Sequence, residues 1–260
     1  MSAIDRVKAA RAAGRPTGLD FIQNIFEGFF ELHGDRRFSD DKAVVAGVAS
    51  LCGMPVTVIA LEKGHSTKEK VSRNFGSAHP EGYRKALRQM KLAEKFSRPI
   101  VCFVDTAGAY CGIGAEERGQ GQAIAENLTE LMGLKTPVVS VLIGEGGSGG
   151  ALALSVANEV WMLKNAVYSV ISPEGCASIL WKDASKTDAA AESLKLTAED
   201  LFTLGVVEKV FEEPEGDFSP LYQQLKNELA AALRVLAGME KQTLAERRYE
   251  RFRKFGVEKA

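Results

Sequence analysis

The stretch Ile143 to Leu152 reads IGEGGSGGAL, directly after the apolar run PVVSVLI and before the helix-compatible ALALSVA. Glycine leaves its backbone uncovered and accepts conformations closed to other residues. Five glycines between Gly144 and Gly150 therefore predict a sharp strand-to-helix turn where main chain approaches something closely. Three chemistries fit such a turn. Gly144, Gly146 and Gly149 spell the Gly-x-Gly-x-x-Gly of a dinucleotide fold, and Gly146, Ser148 and Gly150 spell the Gly-x-Ser-x-Gly of a hydrolase elbow. In the third, the amides themselves form an anion hole.

The rest of the chain weighs against the first two. A dinucleotide unit places an acid about 20 residues on, at the end of the next strand; here that strand ends Met162-Leu163-Lys164-Asn165. A hydrolase of the elbow type has its histidine after the serine in chain order, whereas His33, His65 and His79 all precede Ser148. No Gly-Lys-Ser/Thr follows the loop, which excludes a Walker phosphate site. Two readings remain. Either the amides, helped by the dipole of the following helix, face a negative group, or Gly149 and Gly150 simply let a helix pack closely on a sheet.

An anion site would have to be local, because 33 Lys plus Arg against 34 Asp plus Glu leave a net charge of -1. That balance gives no general pull toward nucleic acid or membrane. Cys52, Cys102, Cys111 and Cys176 are scattered without zinc-type spacing, so no metal is expected on this chain and reduced thiols in a cytoplasmic protein fit best. No apolar run reaches the roughly 18 residues of a membrane span. The start MSAIDRVKAARAAGRP lacks the apolar core of a secretory signal and reads as a short, frayed helix.

Periodicity predicts a single α/β domain over residues 1–260. Phe21, Ile22, Ile25, Phe26, Phe29 and Phe30 predict a helix over about 19–32, stopped by Gly34-Asp35. AVVAGVASL and PVTVIAL around Cys52-Gly53-Met54 predict a hairpin. Residues 62–79 read as an irregular basic loop, and Pro80 opens a helix. Two units of strand, glycine loop and helix follow, starting at Pro99 and Pro137, and Ser172-Pro173 caps another helix. Helical patterns over about 219–255 close the chain.

Several long blocks appear in order: Lys68-Glu69-Lys70, Arg73-Asn74-Phe75-Gly76, PEGYRKAL from Pro80, GAEERGQ from Gly114, IGEGGSGGAL, and YSVISPEGCASILWK from Tyr168. Together they resemble the alpha subunit of the bacterial acetyl-CoA carboxylase carboxyltransferase, from about Leu19 to Gly256. The resemblance implies a crotonase-like fold, a spiral of stacked ββα units with flanking helices. It implies transfer of a carboxyl group from carboxybiotin on a biotin carboxyl carrier protein to acetyl-CoA, giving malonyl-CoA for fatty acid synthesis. It also implies an α2β2 assembly whose beta subunit carries zinc, working with a biotin carboxylase.

Carried over by position, the amides of Gly149 and Gly150 are expected to hold the ureido oxygen of biotin, with Gly146, Gly147 and Ser148 around the substrate. Lys68 and Arg73, with Lys63 and Lys70, could meet coenzyme A phosphates or the partner, although a solvated charged loop explains them equally well. Asp105-Thr106 is expected to anchor the turn at Gly108, and Ser172, Pro173 and Glu174 to cap a helix beside the site. Ala107 and Cys111, where the family usually has proline, and His65-Ser66, where it has arginine-glutamate, leave room for a longer acyl-CoA. A stand-alone acyl-CoA hydratase, isomerase or decarboxylase of the same fold would instead need a side-chain acid or base, for which Glu116, Glu117 and Glu145 are the candidates.

Overall fold

The computed structural model describes residues 1–257. Its eight strands form one sheet in the order β1-β2-β3-β4-β5-β6-β8, with β7 paired to β5 off that path. The hairpin forms where alternation and turn chemistry placed it: β2 (Val44–Leu51) and β3 (Met54–Leu61) pair antiparallel from Val44 opposite Leu61 to Leu51 opposite Met54. Cys52 and Gly53 take φ of 49° and 78°, the left-handed pair that a tight hairpin demands. From β3 onward the sheet is parallel through β4 (Ile100–Thr106), β5 (Val138–Gly147), β6 (Glu159–Leu163) and β8 (Lys209–Phe211). Strands β4 and β5 are buried almost throughout, which is why both read as unbroken apolar runs.

Several of the expected elements come out differently. The predicted helix over 19–32 stops early: α2 spans Gly18–Ile25, after an N-terminal helix α1 (Ala3–Ala10), and Phe26 is already extended. Residues Glu27–Glu31 form edge strand β1, with Gly28 at φ 61°. The phenylalanine spacing continues helically, but pairing with β2 wins. A Cβ on Gly47 would lie 2.2 Å from the Phe30 carbonyl oxygen, so β1 lies against β2 only because that residue is glycine. Nor is α1 frayed. Ser2 and Asp5 form a capping box, and the Ala3 amide donates to Glu192 at 2.8 Å.

The segment expected to be irregular holds α3 (Thr67–Ser72), capped by Ser66, ahead of α4 (Pro80–Lys95). After β4 the helical region is split at Gly119, φ 81°, into α5 (Ile113–Glu117) and α6 (Gln120–Gly133). Beyond β5 come α7 (Ser148–Leu152), β7 (Val167–Ser169), α8 (Pro173–Leu180) capped by Ser172, α9 (Thr187–Leu194) and α10 (Ala198–Thr203). The C-terminal helices are α11 (Ser219–Ala237) and α12 (Lys241–Arg253). Helices α2 and α11 pack together on the sheet, as do α4 and α6; Phe21 meets Phe103 and Tyr222 with ring centroids 5.4 and 5.1 Å apart. Among the described residues no helix is long and apolar enough to cross a membrane.

Arg248 of α12 is fully buried and serves as a C-terminal clamp. It donates to the carbonyls of Leu131, Leu134 and Thr136 and to the Asn158 side chain, at 2.6 to 2.9 Å. These carbonyls lie at the end of α6 and on the way into β5, where helical donors run out and only the Leu134 amide reaches Leu131, at 3.3 Å. Burial lowers the guanidinium pKa to about 10 against the opposing charge of Glu94, which leaves it charged at neutral pH. Arg248→Met should cost about 3 kcal/mol, because several buried acceptors lose a charged donor together; urea unfolding of the variant against the parent chain measures it.

Candidate active site

Strand β5 continues through the glycines to Gly147, so the expected loop is a strand end followed at once by a five-residue helix, α7. That helix is too short to lend much dipole, so the individual amides must do what the dipole was expected to assist. Ser148 turns the corner at φ 50°, a left-handed conformation rare for serine. Such strain is what a nucleophile elbow shows. Yet Ser148 borders two cavities, and no histidine lines either of them.

The amides of Ser148, Gly149 and Gly150 lie in the first turn of α7, where a helix offers no internal acceptor. No side chain caps them. The turn after β4 closes over this corner. A Cβ on Gly147 would sit 2.1 Å from the Ala107 carbonyl oxygen, and one on Gly150 would sit 2.6 Å from the Ala109 nitrogen and 2.8 Å from the Tyr83 hydroxyl. A Cβ on Gly149, by contrast, meets only Ile124 at 3.5 Å, an ordinary contact. Gly150 is thus needed for a close approach of two backbones. Gly149, half-buried, faces space.

That space is a cavity of about 410 Å³, lined by Gly149 and Ser148 and walled by apolar groups including Leu152, Val206, Phe252 and Phe255. Ser148 also borders a smaller cavity with Gly146, Gly147 and Ala107. The structure therefore gathers Gly146, Gly147, Ser148, Gly149 and Gly150 at one place. It does not bring Lys68 or Arg73 there: Lys68 is exposed on α3, Arg73 donates to the Lys42 carbonyl at 2.7 Å, and neither lines the cavities around Ser148.

Behind the glycines sits a network that the spacing of the sequence did not reveal. Lys63 Nζ lies 2.7 Å from Asp105 Oδ1 and 3.0 Å from Glu145 Oε1. Asp105 Oδ1 also accepts the Glu145 amide at 2.8 Å, and Arg11, beyond the end of α1, reaches Glu145 and Glu174 at 2.7 Å each. Asp105 thus fixes β5 to β4. The turn at Gly108 is anchored by its neighbour Thr106, whose hydroxyl donates to the Gly108 carbonyl at 2.8 Å and accepts its amide at 3.1 Å. Signals for the network existed in the neighbouring acid Glu145 and in Asp105 at the end of an apolar strand. Their common cation lies more than 40 residues before either.

Burial opposes charge on Glu145, but Lys63 and Arg11 outweigh it and hold its carboxyl below the usual range. Burial likewise opposes charge on Lys63, and Asp105 and Glu145 outweigh that, raising its ammonium pKa. Glu145 is therefore a locked anion, poorly suited to acid-base work, and Glu116 and Glu117 are exposed on α5. The linkage follows from these directions. Stabilisation by Glu145 is present above its unfolded pKa and is lost as pH falls through the lowered one; that by Lys63 is full below its unfolded value and lost as pH rises through the raised one. The network is intact from about pH 5 to 10.

Among the described residues no cluster of three or more His, Cys, Asp or Glu side chains is placed to hold a metal. The turn sets the main chain of Ser148 and Gly149 beside an apolar cavity that no histidine lines. Solved structures share the fold. Transcarboxylase 12S superposes with a TM-score of 0.72 at 20% identity, over 90% of this chain and 44% of that one. A chain of a Pseudomonas malonate decarboxylase hetero-tetramer gives 0.65 at 19%, over 82% and 86%. These likenesses confirm the crotonase-like α/β arrangement.

The family model described as acetyl co-enzyme A carboxylase carboxyltransferase-like matches residues 1–256. The acetyl-coenzyme A carboxylase carboxyl transferase subunit alpha of Ruminiclostridium cellulolyticum is 64% identical over 257 residues, 99% of either chain. A beta/alpha protein of Natranaerobius thermophilus is 57% identical over 97% of this chain and 42% of its own length. The chain belongs to the acetyl-CoA carboxylase carboxyltransferase family.

Lys63→Met tests the network. It leaves Asp105 without its cation, and breaking a buried pair on one side costs about 3 kcal/mol. Urea unfolding of the variant against the parent chain at pH 8, inside the range where the network is intact, measures the loss.

Proposed function

We propose that this chain, as a single carboxyltransferase domain, is the alpha subunit of a cytoplasmic acetyl-CoA carboxylase, transferring a carboxyl group from carboxybiotin to acetyl-CoA to form malonyl-CoA. The observation that carries the mechanism is the turn Gly147–Gly150, free of side-chain caps, whose Ser148 and Gly149 border an apolar cavity. Biotin fits that arrangement: its fused rings are apolar and its ureido oxygen is a hydrogen-bond acceptor, matching a dry wall with donors at one end. When bound, it supplies the carboxyl group and, once that group departs, a ring nitrogen able to take the substrate's proton.

The part of this chain is electrostatic. The Gly149 and Gly150 amides donate to the oxygen on which negative charge grows, and because they are already aimed they spend nothing on reorientation. The apolar wall keeps water from competing for those donors. Lys63, Asp105 and Glu145 hold β4 and β5 in register behind them. No side-chain base is called for, in keeping with Glu145 being locked in ion pairs. In this reading Gly146, Gly147 and Ser148 line the approach for substrate. Lys68 and Arg73, away from the glycine turn, are left to the outer part of coenzyme A or to a partner.

The partners in this reading are a beta subunit in an α2β2 assembly, which would hold the zinc, a biotin carboxyl carrier protein and a biotin carboxylase. Fusion of beta and alpha sequences in the Natranaerobius protein supports the pairing with a beta subunit. The test is co-expression with a zinc-ribbon beta subunit and assay of malonyl-CoA-dependent carboxylation of biocytin. Activity of the pair is expected. Failure of the pair to use biocytin, or turnover of an enoyl-CoA by this chain alone, would refute the proposal.

The two glycines should answer differently to alanine. Gly150→Ala drives a methyl group into the Ala109 backbone and should lower kcat at least about 100-fold, the scale of losing one oxyanion donor. Gly149→Ala meets only ordinary contact and should stay within about 10-fold, corresponding to less than 1.4 kcal/mol. Steady-state kinetics of both variants, with melting temperatures to verify folding, decide the point.

A further inference from the structure

Helix α4 carries Arg84, Arg88, Lys91 and Lys95 along one face, a cationic stripe of about 16 Å at the helical rise. With Asp35, Arg36 and Arg37 from the loop after β1, and Glu126 from α6, they line a groove of about 450 Å³ that also takes in Leu87 and Leu92. None of its lining residues borders the cavities around the glycine turn. Arg84 is paired with Asp35 and Glu81, Lys91 with Glu130 and Arg37 with Glu126, whereas Arg36, Arg88 and Lys95 have no carboxylate partner among the described residues.

The charges are crowded and fixed. Arg36 Nη1 and Arg88 Nη2 donate to the same His33 carbonyl at 2.8 and 3.2 Å, so these nitrogens are at most about 6 Å apart, close enough for mutual repulsion. Burial, and next the charge of Arg36, lower the Arg88 pKa against the opposing charges of Asp35 and Asp40. Arg36 holds its place at φ 64°. The loop around it is rigid: Asp35 Oδ1 accepts the amides of Arg37, Phe38 and Ser39 at 2.7 to 3.1 Å, and its Oδ2 takes Arg84 Nε at 2.8 Å. Asp35 and Glu126, the carboxylates that line the groove, are paired with Arg84 and Arg37. The two guanidinium groups held at one carbonyl therefore gain most from a multivalent oxyanion, and their planar forks suit phosphate.

We propose that this groove is a second binding site, separate from the glycine turn, for a small ligand bearing two or more phosphate groups. Its size fits one small molecule, and its leucines can take an apolar ring. The nearly neutral net charge of the chain argues against a long polyanion, which would draw on charge over a wider surface.

The test is calorimetric titration of the full chain with ATP, pyrophosphate and inorganic phosphate, with variants of the groove separating this site from that of the substrate. Saturable binding of ATP or pyrophosphate, tighter than that of inorganic phosphate, is expected, weakened at least tenfold in the Arg36→Gln/Arg88→Gln variant and also weakened in Lys95→Gln. ATP binding more tightly than pyrophosphate would assign the leucines to the base; equal binding would assign the site to phosphates alone. The double variant relieves repulsion and should melt no lower than the parent chain; Lys95→Gln, at an exposed position, gives an independent reading if it does. Absence of saturable binding at millimolar ligand, or affinity unchanged in both variants, would overturn the proposal.

Discussion

The Lys63 ammonium between Asp105 and Glu145 is the contact on which the rest of the site depends. It joins the chain just beyond β3 to the ends of β4 and β5, the places where the parallel strands deliver their turns. Ligands of open α/β sheets gather at such carboxyl ends. Here the turns would drift apart without a lock, because glycine-rich backbone has no side chains to hold it. Burial makes each of the three charges costly alone, so the network is all or nothing. Arg11 extends it to α1 and, through Glu174, to α8, so that distant segments converge on one carboxylate.

Against this lock the glycines act as spacers as much as donors. Gly147 and Gly150 allow the β4 turn to come within contact of α7, and Gly144 lies where a Cβ would strike the Asp105 carboxylate at 2.3 Å. The two readings left open for the loop, an anion hole and close packing, are therefore compatible. Close packing of Gly150 holds α7 against the turn after β4, while Gly149 stays open to the cavity. The strained Ser148, which in a hydrolase would present a nucleophile, here marks the place where strand becomes helix.

The proposed assignment of carboxyl transfer to this corner has a physical economy: electrostatic preorganisation needs donors fixed in a dry place, and main-chain amides held by close-packed glycines would meet that need without a titratable residue. The cationic groove along α4 is a contrast in kind. It is open, built of long side chains, and placed by an asparate-centred loop instead of by glycine contacts.

The sequence by itself determined the elements whose signals are local: the hairpin at Cys52-Gly53, the unbroken apolar strands β4 and β5, the Pro80 and Ser172 helix starts, and the glycine turn. Ordered blocks also sufficed for the family. Tertiary structure decided everything that required partners far apart in the chain. Edge pairing with β2 turned Phe29 and Phe30 from a helix into β1, docking on α9 ordered α1, and the reach of Lys63 chose Asp105 and Glu145 over coenzyme A phosphates. Local propensity is fixed by neighbours along the chain, whereas the cost of a buried charge or an unpaired strand edge is set by what folding brings alongside it.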